Sequence, residues 1–326
     1  MAQYEAICIT GGTGFLGRHL AAYACEFWRP KRCIVFSRDE HKQREQRERA
    51  GQWAERLRWF IGDIRDYQRL LMAFRGVDLV VHAAALKDIV ACEYNPSEAV
   101  QTNVQGTDNV VRAAVACGVK CVVYVSTDKA VHPVNLYGKT KACAERLALD
   151  GNFYAPIFRA VRYGNVMGST GSVVELFQRL ALNPKKPLPV TDPTMTRFWT
   201  TLDDAIHLVE AATKAPPGSL LVGNPSAVRM RDLADAMAGR GQDWEEVGPR
   251  PGEKKHETLI GEEELPRAHL QDTGYFLIHP EIVYLEKVEY PQGGKVEGLT
   301  SDLAPRLNKA QIRERVENLT VVRPPK

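Results

Sequence analysis

Three residues that together could carry out hydride transfer lie close together in the middle of the chain, at Thr127, Tyr137 and Lys141. A tyrosine phenol has a pKa near ~10, and an adjacent ammonium together with a positively charged nicotinamide favours its phenolate. Tyr137 can then take the proton of a secondary alcohol while a hydride leaves the alcohol carbon. We expect Thr127 to hold that hydroxyl, and Lys141, one helical turn after Tyr137, to anchor the nicotinamide ribose.

Asp128 and Lys129 add an acid and an amine that hydride transfer alone does not need. Once a sugar carbon is oxidised to a ketone, the proton on the next carbon is acidic and a base can remove it. An acid can then protonate a hydroxyl one carbon further on, so that water leaves. We expect Lys129 to be the base, its pKa lowered by burial near a cationic ring, and Asp128 to be the acid, its pKa raised. The alternative is a surface turn with an ordinary salt bridge.

A glycine-rich loop near the start of the chain predicts a dinucleotide site. An apolar strand at residues 5–9 leads into Thr10–Gly17, where glycines recur as G-x-x-G-x-x-G, and a helix follows. Such a loop turns tightly, brings the backbone close to a pyrophosphate and aims a helix N-terminus at it. The alternative is an ordinary strand-to-helix turn. The cofactor-binding residues predicted here are Gly11, Thr13, Gly14, Phe15, Leu16 and Gly17.

The end of the second predicted strand favours NADP over NAD. An NAD site usually has an acidic residue at this point, where it binds the ribose 2′-hydroxyl. Here Ser37 and Arg38 come first and Asp39 only follows them. A hydroxyl and a guanidinium suit a 2′-phosphate, and Lys42 is near enough to help. Further cofactor contacts are expected at later strand ends, from Asp63, Ile64, Ala83, Ala84, Ala85, Lys87, Ser126, Tyr163 and Val166, besides Tyr137 and Lys141.

Strands and helices alternate over residues 1–165, which predicts an α/β fold, a Rossmann doubly wound parallel sheet with a smaller C-terminal substrate-binding domain. We assign residues 1–165 to the NADP-binding domain. Residues 166–326 are assigned mainly to the substrate domain, with a possible chain crossover back to the first. The strands predicted after the first one are Cys33–Phe36, Leu57–Ile61, Val77–His82, Lys120–Val125 and Val161–Val166.

Helices are expected at residues 97–117, near residues 202–214 and 230–239, and from Lys309 to Glu317. Asp66 fits the N-cap of the helix near Tyr67 better than Asp63 does, which leaves Asp63 for the cofactor. The polar tail from about Tyr290 is expected to cover either the site or an oligomer interface.

Composition narrows the possible classes of protein. The chain has 326 residues, 44% of them hydrophobic, and a net charge of +3, too small to indicate a nucleic-acid partner. Its seven cysteines form no Cys-x-x-Cys pair or metal-ligand cluster, which predicts a reducing compartment without disulfides or a metal site. No apolar run approaches the ~20 residues needed to cross a membrane, and the N-terminus lacks the pattern of a signal peptide. We therefore expect a cytoplasmic protein.

Taken together, the motifs resemble the extended short-chain dehydrogenase/reductase family. Within it, the chain is similar to the UDP-N-acetylglucosamine 4,6-dehydratases that invert C5 and act at the start of pseudaminic acid synthesis. The resemblance covers about residues 5–280 and rests on Thr10–Gly17, Ser37–Glu40, His82–Lys87, Ser126–Ala130, Asn135–Lys141, Arg162–Val166, Gly168–Val173, Met195–Phe198 and Arg250–Lys254. Hexose-nucleotide 4,6-dehydratases carry Asp-Glu where this chain has Asp128-Lys129, and larger membrane-anchored relatives often have Met in place of Tyr137.

The resemblance implies a role for each matching residue. Asp128, Lys129 and Tyr137 would carry the elimination and the proton transfers at C5. Lys87 matches a position near both the cofactor and the sugar, and the family commonly forms homo-oligomers. The chain departs from the family pattern at Thr170, where arginine is expected, and at Lys255, where an apolar residue is common. The UDP-sugar would be bound by Lys87, Asn165, Ser172, Val173, Thr191, Arg197, Arg250 and Glu253.

Two other functions remain open from the sequence. A UDP-hexose 4-epimerase or a C5-retaining dehydratase would use the same scaffold, but an epimerase does not need Asp128-Lys129. A non-catalytic NADP-binding regulator would typically have lost the tyrosine or the lysine of the Tyr-x-x-x-Lys pair, and both are present here.

Overall fold

A parallel β-sheet forms the centre of the protein in the computed structural model, which describes residues 4–155, 157–183, 185–281 and 289–319. Its strands are mostly continuous apolar runs, and β1 and β5 are buried along their whole length, because helices cover both faces of the sheet. The first six strands are β1 (Ala6–Thr10), β2 (Arg32–Ser37), β3 (Leu57–Ile61), β4 (Leu79–His82), β5 (Cys121–Val125) and β6 (Phe158–Arg162).

The helices between these strands begin at residues that the sequence marks as caps. Asp66 accepts the backbone N–H of Arg69 at the start of α3, and Asn135 accepts that of Gly138 at the start of α7. The cap role of Asp66 is therefore as predicted, and Asp63 lies outside the helix. The helices are α1 (Phe15–Tyr23), α2 (Glu40–Glu48), α3 (Tyr67–Phe74), α4 (Ile89–Tyr94), α5 (Pro96–Val100), α6 (Gly106–Ala116) and α7 (Leu136–Asp150).

Two sequence-predicted elements differ from the structure. The helix expected over residues 97–117 is interrupted by a π-helical turn, Gln101–Gln105, between α5 and α6. The strand expected at Val161–Val166 is two strands, because the chain leaves the sheet after β6 and continues as β7 (Asn165–Val166) in another sheet. Gly164 permits this exit, since a Cβ there would lie 2.3 Å from the Cβ of Phe198.

The chain after residue 165 divides between two parts of the molecule. One set of elements extends the large sheet or packs on it: α9 (Leu202–Lys214), β10 (Leu220–Val222), β14 (Ala268–Leu270), β15 (Phe276–Ile278) and β16 (Gly294–Lys295). The other set packs around a separate core that includes Phe177, Leu188 and Leu233. We call this set the second part of the molecule. Its elements are α8 (Val173–Ala181), β8 (Leu188–Val190), β9 (Thr196–Thr200), β11 (Ser226–Arg229), α10 (Met230–Met237), β12 (Trp244–Glu246) and α11 (Lys309–Leu319).

The strand order of the large sheet is β16-β14-β15-β10-β6-β5-β4-β1-β2-β3. All neighbouring strands from β3 to β10 run parallel. The three remaining strands, β15, β14 and β16, pair antiparallel with their neighbours in the sheet. The predicted Rossmann-type α/β fold is confirmed. In such a sheet ligands bind at the carboxyl ends of the strands, where the order reverses between β1 and β4.

The end of the chain packs on the second part. Helix α11 lies against α10, where Lys309 Nζ is 2.6 Å from Asp235 Oδ2 and Arg313 donates to the carbonyl of Ala236. Before it, β17 (Leu299–Thr300) pairs with β13 (Thr258–Ile260). Residues 320–326 of the predicted covering tail lie outside the described residues. Across the described ranges, no helix is both long enough and apolar enough to cross a membrane.

Candidate functional site

An open cleft of about 800 Å³ lies at the carboxyl ends of β1, β4 and β5, between the sheet and the second part. Every predicted site residue lines it except Asp128, which is buried directly beneath. Residues far apart in sequence, from Gly11 to Glu253, therefore lie around one space. The cleft residues that the sequence predicted for the cofactor are Gly11, Thr13, Gly14, Phe15, Leu16, Gly17, Ser37, Arg38, Lys42, Asp63, Ile64, Ala83, Ala84, Ala85, Lys87, Ser126, Tyr137, Lys141, Tyr163 and Val166.

The glycine loop leaves no room for side chains at two positions. Gly11 has a φ of +67°, and a Cβ there would lie 2.8 Å from the backbone of Ala84. A Cβ at Gly17 would lie 2.4 Å from the carbonyl oxygen of Gly11. Gly14 is the N-cap of α1 and has no side chain to cap it, so the first N–H groups of the helix at the cleft donate to no carboxylate or hydroxyl of an N-cap side chain. This loop fits a pyrophosphate, and the buried Ser126 Oγ, which has no hydrogen-bond partner among the described residues, fits a polar ligand atom nearby.

The end of the cleft that follows β2, where the sequence predicted the cofactor ribose, carries two cations, Arg38 and Lys42. Asp39 accepts the backbone N–H of Lys42 and so caps α2. Arg38 and Lys42 remain at the edge of the cleft with half or more of their side chains exposed. Burial alone would raise the pKa of Asp63, but hydrogen bonds from Arg65 and the charge of Arg38 outweigh it and hold the pKa below its usual value. Asp39 caps α2 through one oxygen and lies 3.1 Å from Lys42 Nζ through the other, so this edge carries two cations, each beside an acid of its own, Lys42 with Asp39 and Arg38 with Asp63.

The turn after β5 holds a buried acid and amine in contact. Thr127 Oγ1 donates to Asp128 Oδ1 at 2.8 Å, and Lys129 Nζ lies 3.0 Å from the same oxygen. Lys129 Nζ also donates to Asn165 Oδ1 at 3.0 Å. Asp128 is fully buried, and its Oδ2 has no hydrogen-bond partner among the described residues. The alternative of a surface turn is wrong for this pair, because Asp128 is fully buried and Lys129 faces the cleft.

The expected protonation of Lys129 is not the one that the structure supports. Burial alone would lower its pKa, but the negative charges of Asp128 and Glu257 outweigh burial, and the Lys129 pKa is raised. Lys129 therefore carries its proton at neutral pH in this state. It can act as a base only after passing that proton to a partner, and Asp128 is within hydrogen-bond distance.

Tyr137 and Lys141 lie on the buried face of α7. Burial raises the pKa of Tyr137 to about 12, opposed by the charge of Lys129 and by the Thr127 hydroxyl. The ammonium that lowers the pKa of the phenol in this state is thus that of Lys129. Lys141 Nζ donates to the carbonyl of Val125 at 2.7 Å, and burial lowers its pKa to about 7, with Glu145 opposing.

Cations and a short turn form the substrate side of the cleft. Arg197 on β9 donates to the carbonyl of Thr196 at 2.8 Å. The backbone N–H of Arg250 donates to Glu253 Oε2 at 3.2 Å, which closes the turn 250–253. Lys87 Nζ donates to the carbonyl of Thr170 at 2.8 Å, and burial lowers the Lys87 pKa. The residues that the sequence predicted for the UDP-sugar all line the cleft: Lys87, Asn165, Ser172, Val173, Thr191, Arg197, Arg250 and Glu253.

Sequence reasoning missed several residues of the cleft, of which Glu257 and Lys254 are the most notable. Glu257 is a buried carboxylate among cations: its Oε1 lies 3.8 Å from Arg197 Nε and 4.0 Å from Lys129 Nζ. The family motif Arg250–Lys254 ends three residues before Glu257. The only sequence signal is a lone acid after the basic run 254–256.

The chain was compared with known families and proteins. The sequence model of the family described as polysaccharide biosynthesis protein matches residues 7–278. UDP-N-acetylglucosamine 4,6-dehydratase (inverting) of Campylobacter jejuni subsp. jejuni serotype O:2 is 40% identical over 294 residues, covering 88% of this chain and 86% of that protein. UDP-glucose 4-epimerase of Rickettsia bellii (strain RML369-C) is 36% identical over 338 residues, covering 98% of this chain and 97% of that protein.

Solved structures share the same fold. Pen from Bacillus thuringiensis is 35% identical with a TM-score of 0.88, over 98% of this chain and 100% of that one. A double mutant of DesIV, a dTDP-glucose 4,6-dehydratase from Streptomyces venezuelae solved with NAD bound, is 26% identical with a TM-score of 0.66, over 76% of this chain and 86% of that one.

Proposed function

The chain belongs to the polysaccharide biosynthesis protein family, within the extended short-chain dehydrogenases/reductases, and from that premise we propose that it is a UDP-N-acetylglucosamine 4,6-dehydratase that inverts C5. The observation that carries the proposal is the buried Asp128–Lys129 pair beside Tyr137. An acid and an amine in contact there supply the proton transfers that dehydration needs and epimerisation does not. The product is a UDP-4-keto-6-deoxy-L-arabino-HexNAc.

The cofactor would lie along the glycine loop, with its nicotinamide near Tyr137 and Lys141. Bound there, it would supply the acceptor for the hydride of C4 and the donor of that hydride to C6, so that the reaction would have no net redox change. The tight approach at Gly11 and Gly17 and the uncapped start of α1 fit its pyrophosphate. We propose NADP rather than NAD, because Arg38 and Lys42 remain at the cleft edge while Asp39 caps α2.

Protein groups carry the protons. To accept the proton of the C4 hydroxyl, Tyr137 must be a phenolate; burial opposes that form, and the positive charge of Lys129, together with that of an oxidised nicotinamide, would favour it. Lys129 is the member of the acid–amine pair that faces the cleft, so we assign it the removal of the C5 proton, with Asp128 as its proton partner. Lys129 takes the proton from C5, and one proton joins the departing C6 hydroxyl as water. C5 receives a proton on its opposite face, which a side chain other than Lys129 must supply; we assign this transfer to Tyr137, which has taken the proton of the C4 hydroxyl, so that the two protons released equal the two consumed.

The substrate nucleotide would lie against the second part of the molecule. Two guanidiniums, Arg197 and Arg250, suit a diphosphate, and the Glu253 carboxylate suits ribose hydroxyls. Asn165, whose side chain contacts Lys129, would link the nucleotide site to the acid–amine pair. We retain the assignment of residues 1–165 to NADP and of the later chain mainly to the UDP-sugar.

Product analysis tests the proposal. The cofactor-loaded protein is incubated with UDP-N-acetylglucosamine in deuterium oxide and the product is examined by NMR. We expect a 4-keto-6-deoxy sugar with deuterium at C5 and inverted configuration, and no product from Tyr137→Phe. Unchanged substrate after long incubation would overturn the proposal.

A UDP-hexose 4-epimerase is the second candidate, favoured by the similarity to the Rickettsia bellii enzyme over nearly the whole chain. It predicts UDP-N-acetylgalactosamine in the same experiment, without deuterium at C5. The two candidates also differ at Lys129: Lys129→Ala abolishes the product of a dehydratase but spares an epimerase. Retained C5 configuration would indicate a retaining dehydratase.

Three finer features belong to the same proposal. We propose that the protein is a homo-oligomer, that it acts in the cytoplasm, and that its product enters a pseudaminic-acid type of pathway. The resemblance of the motifs supports the first and third. The cysteine pattern, seven residues without a Cys-x-x-Cys pair, supports a reducing compartment. Light scattering, cell fractionation and the fate of the purified product test them in turn.

A further inference from the structure

Glu257 lies at the centre of three cations on the substrate side of the cleft. Its Oε1 is 4.0 Å from Lys129 Nζ and 3.8 Å from Arg197 Nε, and its Oε2 is 3.9 Å from Lys254 Nζ. The side chain is 5% exposed, and Oε2 has no hydrogen-bond partner among the described residues. A buried carboxylate with an unpartnered oxygen is costly unless nearby charge or a ligand compensates it.

The backbone of Glu257 is fixed by the C-terminal part of the chain. The backbone N–H of Glu257 donates to Ser301 Oγ at 2.9 Å, and the backbone N–H of Ser301 donates to the carbonyl of Glu257 at 2.8 Å. Ser301 is fully buried, and its hydroxyl also contacts Thr196 Oγ1 at 2.7 Å, next to Arg197. The position of the carboxylate is therefore set by a segment more than forty residues away, which β17 brings against β13.

We propose that Glu257 is a positioning residue that keeps the Lys129 ammonium charged and directed into the cleft, with Arg197 and Lys254 held beside it. This inference rests on the proposed function, because it assigns Glu257 a part in the proton transfers of Lys129. Two carboxylates lie near the Lys129 ammonium: Asp128 Oδ1 is 3.0 Å from Nζ, and Glu257 Oε1 is 4.0 Å from it. When a proton moves from Lys129 to Asp128, the carboxylate of Glu257 remains and favours its return.

The charges around Lys129 agree with this arrangement. Burial alone would lower the Lys129 pKa, and the charges of Asp128 and Glu257 raise it, while Arg197 acts in the opposite direction. Burial lowers the pKa of Lys254, and Glu257 is the largest opposing influence. The titratable and charged groups that act on or lie near Lys129 are Asp128, Glu257, Arg197, Lys254, Lys87 and Tyr137.

A direct measurement of Lys129 tests the inference without using catalysis. The folded, cofactor-loaded protein is acylated with trace acetic anhydride across a pH series, and the labelling of Lys129 is followed by mass spectrometry. We expect Glu257→Gln to move the labelling midpoint to lower pH by about one unit or more, since a carboxylate at this distance is lost. Glu257→Asp should move it less, and Glu262→Gln, at an exposed carboxylate of the same segment, should not move it.

The same variants are then assayed for dehydration. In Glu257→Gln the limb of the pH–rate profile that depends on Lys129 should move to lower pH, and kcat should fall at least tenfold. A merely structural role would instead lower the activity equally at all pH values. An unmoved labelling midpoint in Glu257→Gln would overturn the inference, whatever the activity. Failure of the wild-type protein to convert UDP-N-acetylglucosamine would instead overturn the proposed function, because the labelling result does not depend on it.

A second variant covers the case in which Glu257→Gln fails to fold. Ser301→Ala removes the hydroxyl that accepts from the Glu257 backbone and keeps the carboxylate. It should move the labelling midpoint in the same direction by a smaller amount. Unmoved midpoints in both Ser301→Ala and Glu257→Asp would then contradict the inference.

Discussion

Asn135 Nδ2 donates to the carbonyl of Gly252 at 2.8 Å, while Asn135 Oδ1 accepts the backbone N–H of Gly138. One side chain therefore caps α7, which carries Tyr137 and Lys141, and ties it to the turn that carries Arg250 and Glu253. The two halves of the proposed chemistry, hydride transfer and nucleotide binding, meet at this residue.

Substitution of Asn135 separates its two roles. Asn135→Ala should lose about 1 kcal/mol of stability, because the cap of α7 is lost, and should raise KM for the UDP-sugar severalfold. Asn135→Ser keeps a capping hydroxyl but cannot reach Gly252. We expect its KM to rise as in Asn135→Ala while its free energy of unfolding stays near wild type. Equal stability losses in the two variants would contradict the division of roles.

The ion pair in the turn after β5 predicts a stability effect. Lys129→Met leaves Asp128, which is fully buried, without its cation. We expect a loss of about 3 kcal/mol in denaturant unfolding, because an unpaired buried charge remains. The double variant with Asp128→Asn should recover most of that loss, although neither protein would eliminate water. Equal losses in the single and double variants would show that the charge is not the cause.

The features that the sequence predicted well are local ones. Gly17 needs to be glycine because of its close approach to Gly11 within the same loop, and strands such as Cys121–Val125 are continuous apolar runs. Neighbouring positions then sufficed to place Tyr137 and Lys141 in the cleft. Fold class and most of the lining of the cleft follow from such patterns.

The features that the sequence did not predict depend on distant contacts. Glu257 is placed by Ser301, and strands such as Phe276–Ile278 are too short for a periodic signal until they pair with the large sheet. The raised pKa of Lys129 has a local and a distant cause. The charge of the adjacent Asp128 is the larger raising influence, and the charge of Glu257, more than a hundred residues later, is the one that the sequence did not predict.

Cofactor preference depends on Arg38. Arg38→Leu removes the guanidinium proposed to bind the 2′-phosphate, so the dissociation constant of NADP should rise about 10- to 100-fold, as expected for one charge-assisted hydrogen bond. NAD lacks that phosphate and should bind within about threefold of wild type. Titration calorimetry measures both. Arg112→Leu, on α6 and outside the cleft, serves as the control. A parallel loss of NAD affinity would contradict the assignment.

Buried Lys141 predicts that stability rises with pH. Its pKa is about 7 in the folded protein and 10.5 in its ordinary state. Between these values the unfolded chain binds one proton more than the folded chain, so the free energy of unfolding increases as pH rises. Relative to Lys141→Met, wild type should gain about 2 kcal/mol between pH 7 and pH 9 at constant cofactor concentration. Lys139→Met, at an exposed position of the same helix, should show no such dependence. A wild-type advantage over Lys141→Met that stays constant with pH would show that Lys141 remains protonated in the folded protein.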